Sequence, residues 1–161
     1  MKLHEAIEVC RASGLEGVEL IQFAQKLVGT WMNYSYSNSF DFPSRALERG
    51  KGYCWQQASI LNRILVALGF QSRLVYAVRT VMPQRVHGGT LVAGHISGHV
   101  WCRVRYGDRE GDVCPGNPEN RFGKVHFVPV SAVRRWNGWV CFWAYWGSAW
   151  VNAVRRRRVS R

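Results

Sequence analysis

The sequence predicts one domain that combines helices with strands, on two observations. Apolar residues at helical spacing dominate roughly the first seventy positions. β-Branched and aromatic runs bounded by turn residues fill much of the remainder. The 161 residues suit one domain, and the 47% hydrophobic content supplies core material and excludes wholesale disorder.

The elements follow in order. Leu3, Ala6, Ile7 and Cys10 recur at helical spacing, so residues 3–13 are expected to form a short amphipathic helix. Ser13-Gly14-Leu15-Glu16 has the pattern of a capping box, with Ser13 capping a second helix that runs to about Asn33. Residues 34–43 are aromatic and Ser-rich without a period and are expected to form an ordered loop. Ser44 caps a turn or two ending at Gly50. Cys54, Ala58, Leu61, Leu65 and Leu68 lie 4, 3, 4 and 3 apart, one buried face of a helix that Gly69 closes. Strands are expected over 72–81, 99–106 and 124–130, with a return over 109–114 after the Gly107-Asp108 turn. Residues 82–94, with Pro83 and three glycines, read as a loop holding at most a short strand at 90–93.

The charge is lopsided: 22 Lys and Arg against 10 acids give +12. Such a surface suits an anionic partner or is simply a solvated basic face, and it does not choose between them. Five Cys without a CxxC pair, and no signal-like apolar run near the start, lead us to expect a reducing, cytoplasmic setting with free thiols.

Cys54 is the residue whose placement suggests chemistry. It opens its helix, where the dipole is expected to lower a thiol pKa and free N–H groups can stabilise an oxyanion. The bland alternative is a small buried hydrophobe. A thiolate nucleophile needs a general base held by a third group. His99 shares a strand face with Trp101 and Arg103. If Gly107-Asp108 is a two-residue turn, Arg103 pairs with Asp112, which shares that face but lies four residues along, about 13 Å away. With a three-residue loop, Asn117 falls opposite His99, so both orienting residues stay open. Gln56, Gln57, Trp31, Tyr36 and Asn38 are candidates for an oxyanion partner. His95, His99, Cys102 and Cys114 can be drawn as a zinc set, but alternate strand residues point apart, and no metal is expected.

The pattern formed by GKGYCWQQASILNRILVALGF, then GHVWCRV, then GDVCPGN resembles the transglutaminase-like superfamily over roughly residues 42–117. The resemblance implies a papain-like α+β core, with a Cys-bearing helix packed on an antiparallel sheet. It implies a catalytic triad of Cys54 as nucleophile, His99 as base and Asp112 as orienting acid, without a cofactor. Related activities include transglutaminases, peptidases, deamidases and peptide glycanases. A hydrolase acting on peptide or protein amides through a thioacyl intermediate is the expectation. The short His-to-Asp spacing and the DREG strand depart from the family pattern. The scarcity of acids argues against a Ca²⁺-dependent transglutaminase.

Residues 1–135 are thus expected to form the catalytic domain, and 136–161 a helix and basic tail. Trp136, Trp139, Trp143, Trp146 and Trp150 lie 3, 4, 3 and 4 apart, on one helical face, and Arg155–Arg158 and Arg161 follow. The stripe is expected to cover the same chain or a second subunit in a homo-oligomer. A membrane surface is the sharper alternative. Residues 136–154 carry no charge, so a true span is also weighed; the polar residues among them argue against it. A nucleic-acid partner is not expected. The competing function is a non-catalytic module that engages an anionic partner.

Overall fold

The computed structural model describes residues 1–87, 90–140, 142, 143, 146, 147 and 150. Helices come first: α1 (Leu3–Ala12), α2 (Gly17–Trp31), α3 (Pro43–Glu48) and α4 (Cys54–Ala67), with the two-residue strands β1 (Asn33–Tyr34) and β2 (Lys51–Gly52) between them. Strands β3 (Gln71–Met82), β4 (Arg85–His87), β5 (Thr90–Val92), β6 (His95–Tyr106), β7 (Arg109–Val113), β8 (Val128–Pro129) and β9 (Arg134–Arg135) follow. The expected α+β fold is therefore present.

The main sheet runs β7-β6-β3, with β8 and β9 both paired to the outer edge of β3, and every pairing is antiparallel. Helix α4 is the centre of the molecule. Ala58, Ile60, Leu61, Ile64 and Leu65 are fully buried among α1, α2, α3 and the sheet. Burial therefore wraps most of α4, beyond the single face that its spacing predicts. Val100, Cys102 and Val104 of β6 face this core, and the Cys102 thiol donates to the Ala58 carbonyl at 3.2 Å. On the opposite face Val75, Ala77, Trp101, Cys114 and Phe127 form a second, smaller cluster.

Most elements fall where the sequence puts them, including the start of α4 at Cys54 and the pairs Tyr106↔Arg109 and Arg103↔Asp112. Gly69 closes α4 at φ +89°, a left-handed conformation that glycine adopts without strain.

Three expectations change. Ser13 ends α1 and does not begin α2: its hydroxyl donates to the Cys10 carbonyl and accepts from the Leu15 N–H, and Glu16 occupies the N-cap of α2. The loop at 82–94 contains a hairpin, β4 on β5, whose connecting residues 88 and 89 lie outside the described residues. The strand expected over 124–130 shrinks to Val128–Pro129, because Asn120 captures the His126 N–H and Arg121 pairs with Lys124 in a local loop.

The C-terminal expectation changes most. Residues 138–140, 142, 143, 146, 147 and 150 are helical, but only Trp136, just before them, is docked. Trp139, Trp143, Trp146 and Trp150 are 76%, 68%, 58% and 73% exposed, so these four do not pack against the described residues of the body. Trp136 finds an aromatic seat on Trp55 and Tyr76 at the edge of the body. Cys141 and the arginine tail lie outside the described residues.

Candidate active site

The approach to Cys54 is built from short-range constraints. Gly50 turns at φ +65°. Gly52 is buried where a Cβ would lie 2.7 Å from the Met32 methyl, so the chain enters α4 with no side chain there. Gln56 reaches back to accept the Tyr53 N–H at 3.1 Å, satisfying one of the donors a helix start leaves open.

The same Gln56 donates to the Asn38 and Asp41 carbonyls at 3.0 and 2.8 Å, and Gln57 donates to the Met32 carbonyl at 2.6 Å. Two buried amides thus pin the aromatic loop after α2 against the start of α4. Parallel pairing of β1 with β2 sets Tyr34 beside Gly52. The Tyr34 hydroxyl meets Tyr36, whose ring stacks on Tyr53 at 5.6 Å. Trp55 and Trp136 stack at 6.4 Å to extend this aromatic wall.

The Cys54 sulfur lies where α4 meets β6. Burial pushes its thiol pKa above the ordinary value. Hydrogen bonds from the backbone of Val100, Trp55 and Cys54 and from the Tyr34 hydroxyl oppose that rise without cancelling it. The expected lowering by the helix start is therefore outweighed by desolvation. Val100 immediately follows His99 on β6, the strand against which α4 packs.

His99 occupies an irregular stretch of sheet. It pairs with Ala77, and the register then shifts so that Thr80 pairs with Ser97, two residues of β3 bulging against Gly98. The ring is clamped by Phe127 at 4.5 Å and lies parallel to Trp101 at 6.0 Å. Its Nε2 lies 3.3 Å from the Cys114 Sγ.

The structure does not bring Asp112 to His99. Asp112 pairs in register with Arg103, which donates to both carboxylate oxygens at 2.7 and 3.1 Å. That contact raises the Arg103 pKa further. Asn117 uses its Oδ1 to accept the Glu119 N–H in a local turn. Cys114 contacts His99 instead; the sequence reading pairs these two only within a zinc set and not as an orienting contact. The signal was available: in the two-residue-turn register, residues 112 and 114 share a face, and Cys114 lies closer to His99.

Cys114 is itself held by amides. Its N–H donates to the Gln25 Oε1 at 3.2 Å, its carbonyl accepts from the Asn120 Nδ2 at 2.8 Å, and Gln25 also donates to the Asn120 carbonyl. Asn120 holds His126 as well. Gln25, Asn120 and Tyr34 are thus further site residues that no motif announced. Of the oxyanion candidates, Trp31 donates to the Leu47 carbonyl, Asn38 to the Lys51 carbonyl, and both glutamines to the loop. A cleft of about 260 Å³ runs between α2 and residues 115–118, with Tyr34 and Gln57 on its wall. Among the described residues no group of three or more His, Cys, Asp or Glu could hold a metal ion.

This arrangement, a Cys at the start of a central helix packed on an antiparallel sheet that carries His99, is what the sequence resemblance implies. The transglutaminase-like superfamily pattern matches residues 8–153, and the chain belongs to that superfamily. Its members are often thiol enzymes. No curated protein matches the chain.

Proposed function

We propose that the protein is a thiol enzyme acting on amide bonds of peptides or proteins, with Cys54 as nucleophile and His99 as general base. The observation that supports this is the placement of Cys54 at the start of α4, its sulfur against the Val100 backbone of β6, the strand that also carries His99. In this reading the Cys54 thiol gives its proton to His99 as sulfur attacks the amide carbon. The oxyanion is met by N–H groups at the start of α4 and by Tyr34. His99 then protonates the departing amine and leaves a thioester on Cys54. Water, deprotonated by His99, releases the acid and restores the thiol. Cys114 takes the orienting place that the resemblance assigns to Asp112. The cleft beside Tyr34 receives part of the substrate.

The test is labelling with an acyl-type thiol electrophile, followed by peptide mapping across all five cysteines and a peptide-library assay. Cys54 should carry the label, Cys54→Ala should abolish turnover, and His99→Ala should lower it by about 10²–10⁴-fold. Turnover that survives in Cys54→Ala overturns the proposal.

A further inference from the structure

The C-terminal helix leaves the body after Trp136. The Trp136 N–H donates to the Leu74 carbonyl at 3.0 Å and its ring rests on Trp55 and Tyr76. Beyond it Trp139, Trp143, Trp146 and Trp150 recur at helical spacing on one side, each more than half exposed, and Phe142 packs between Trp143 and Trp146 at 5.6 and 6.3 Å. Four such indoles expose on the order of 500 Å² of largely apolar surface, as much as the largest patch on a typical monomer, in one narrow strip.

Residue type and charge together say what covers it. Tryptophan pairs an apolar body with one N–H donor, which suits the boundary between water and hydrocarbon better than a dry core. The strip is bracketed by cations: exposed Arg134 and Arg135 precede it, and Arg155–Arg158 and Arg161 follow it in sequence. Residues 136–154 between them carry no charge. A second copy would bring the same cationic ends together, and the chain has only 10 acids against 22 bases with which to compensate. An anionic lipid headgroup layer complements both features at once. No helix among the described residues is long and apolar enough to cross a membrane. Asn137, Gly138, Gly147 and Asn152 interrupt residues 136–154, which favours a helix along the surface over a span.

We propose that this helix is an interfacial anchor that docks the protein on an anionic bilayer surface. The indoles enter the headgroup boundary, and the flanking arginines pair with acidic lipid. Because Trp136 stacks on Trp55, next to Cys54, the anchor fixes the start of α4 close to the bilayer.

The test uses the full chain and flotation with vesicles of phosphatidylcholine alone or mixed with phosphatidylglycerol, at low and high salt. Binding should require phosphatidylglycerol and weaken with salt. Trp143→Ala combined with Trp146→Ala should weaken it about tenfold or more while leaving thermal unfolding unchanged. Replacing Arg155–Arg158 by serine should weaken it roughly fivefold per charge. Brominated acyl chains should quench tryptophan emission in the bound form. Failure to float at low salt overturns the proposal, as does binding indifferent to the two Trp substitutions. So does a stable dimer by light scattering that needs Trp143 and Trp146 and does not bind vesicles.

Discussion

His99 and Cys114 meet on the smaller-cluster face of the sheet, Nε2 to Sγ at 3.3 Å, with both residues almost entirely withdrawn from water. The partner on this ring is a thiol, not a carboxylate. A carboxylate would instead favour the imidazolium. If this contact orients the base, Cys114→Ala should lower kcat by about 10–100-fold, while labelling of Cys54 persists. Cys114→Asp should raise the His99 pKa and move the acid limb of the kcat/KM profile to higher pH. An unchanged profile in both variants would show that Cys114 only fills space.

Asp112→Asn provides the contrast. Its carboxylate serves Arg103 in a partly buried bidentate pair. The substitution should therefore reduce stability by about 1–2 kcal/mol in denaturant unfolding and leave the pH profile of turnover in place. A collapse of activity with stability intact would return Asp112 to the catalytic machinery.

Burial lifts the Cys54 thiol above its ordinary value of 9.0. A raised pKa means less thiolate at neutral pH, so iodoacetamide modification of Cys54 should keep rising with pH beyond 9.0. A plateau reached below neutrality would mean a preformed thiolate.

Gly29 lies in α2 where a Cβ would meet the Pro115 carbonyl oxygen at 2.5 Å. Alanine normally stabilises a helix interior by about 1 kcal/mol over glycine. Here Gly29→Ala should instead cost about 1–3 kcal/mol, and lower activity by shifting the segment that carries Cys114. A more stable variant with full activity would refute this.

Buried Cys10 has its thiol pushed up to about 11 from an ordinary 9.0. The unfolded thiol loses its proton first as pH rises, so the folded state loses stability between pH 9.0 and about 11. Cys10→Ala should flatten that part of the melting-temperature curve. Equal slopes for the two proteins would exclude Cys10 as a source of the alkaline loss.

The main elements were legible because their periods are local: α4 begins at Cys54, and β6 alternates between Val100, Cys102 and Val104 on one side and His99 and Trp101 on the other. The Cys114 contact was harder to read. It depends on a bulge opposite Gly98 and on Gln25, 89 residues before Cys114, and neither leaves a periodic trace. Ser13 misled because the same hydroxyl can serve a helix start or a helix end, and its neighbours decide. The Trp stripe announced a buried face through its spacing, but spacing does not identify what covers it.

The positioning contacts of the candidate site share one chemical character. Gln25, Gln56, Gln57 and Asn120 fix the aromatic loop and the Cys114 segment through uncharged amides bonded to backbone. Amides neither titrate nor attract counterions. In a chain carrying +12, this scaffold is insulated from ionic strength, whereas attraction to any anionic surface is not. Salt therefore acts selectively on this molecule: it screens attraction between the basic surface and any anionic partner and leaves these amide contacts unchanged.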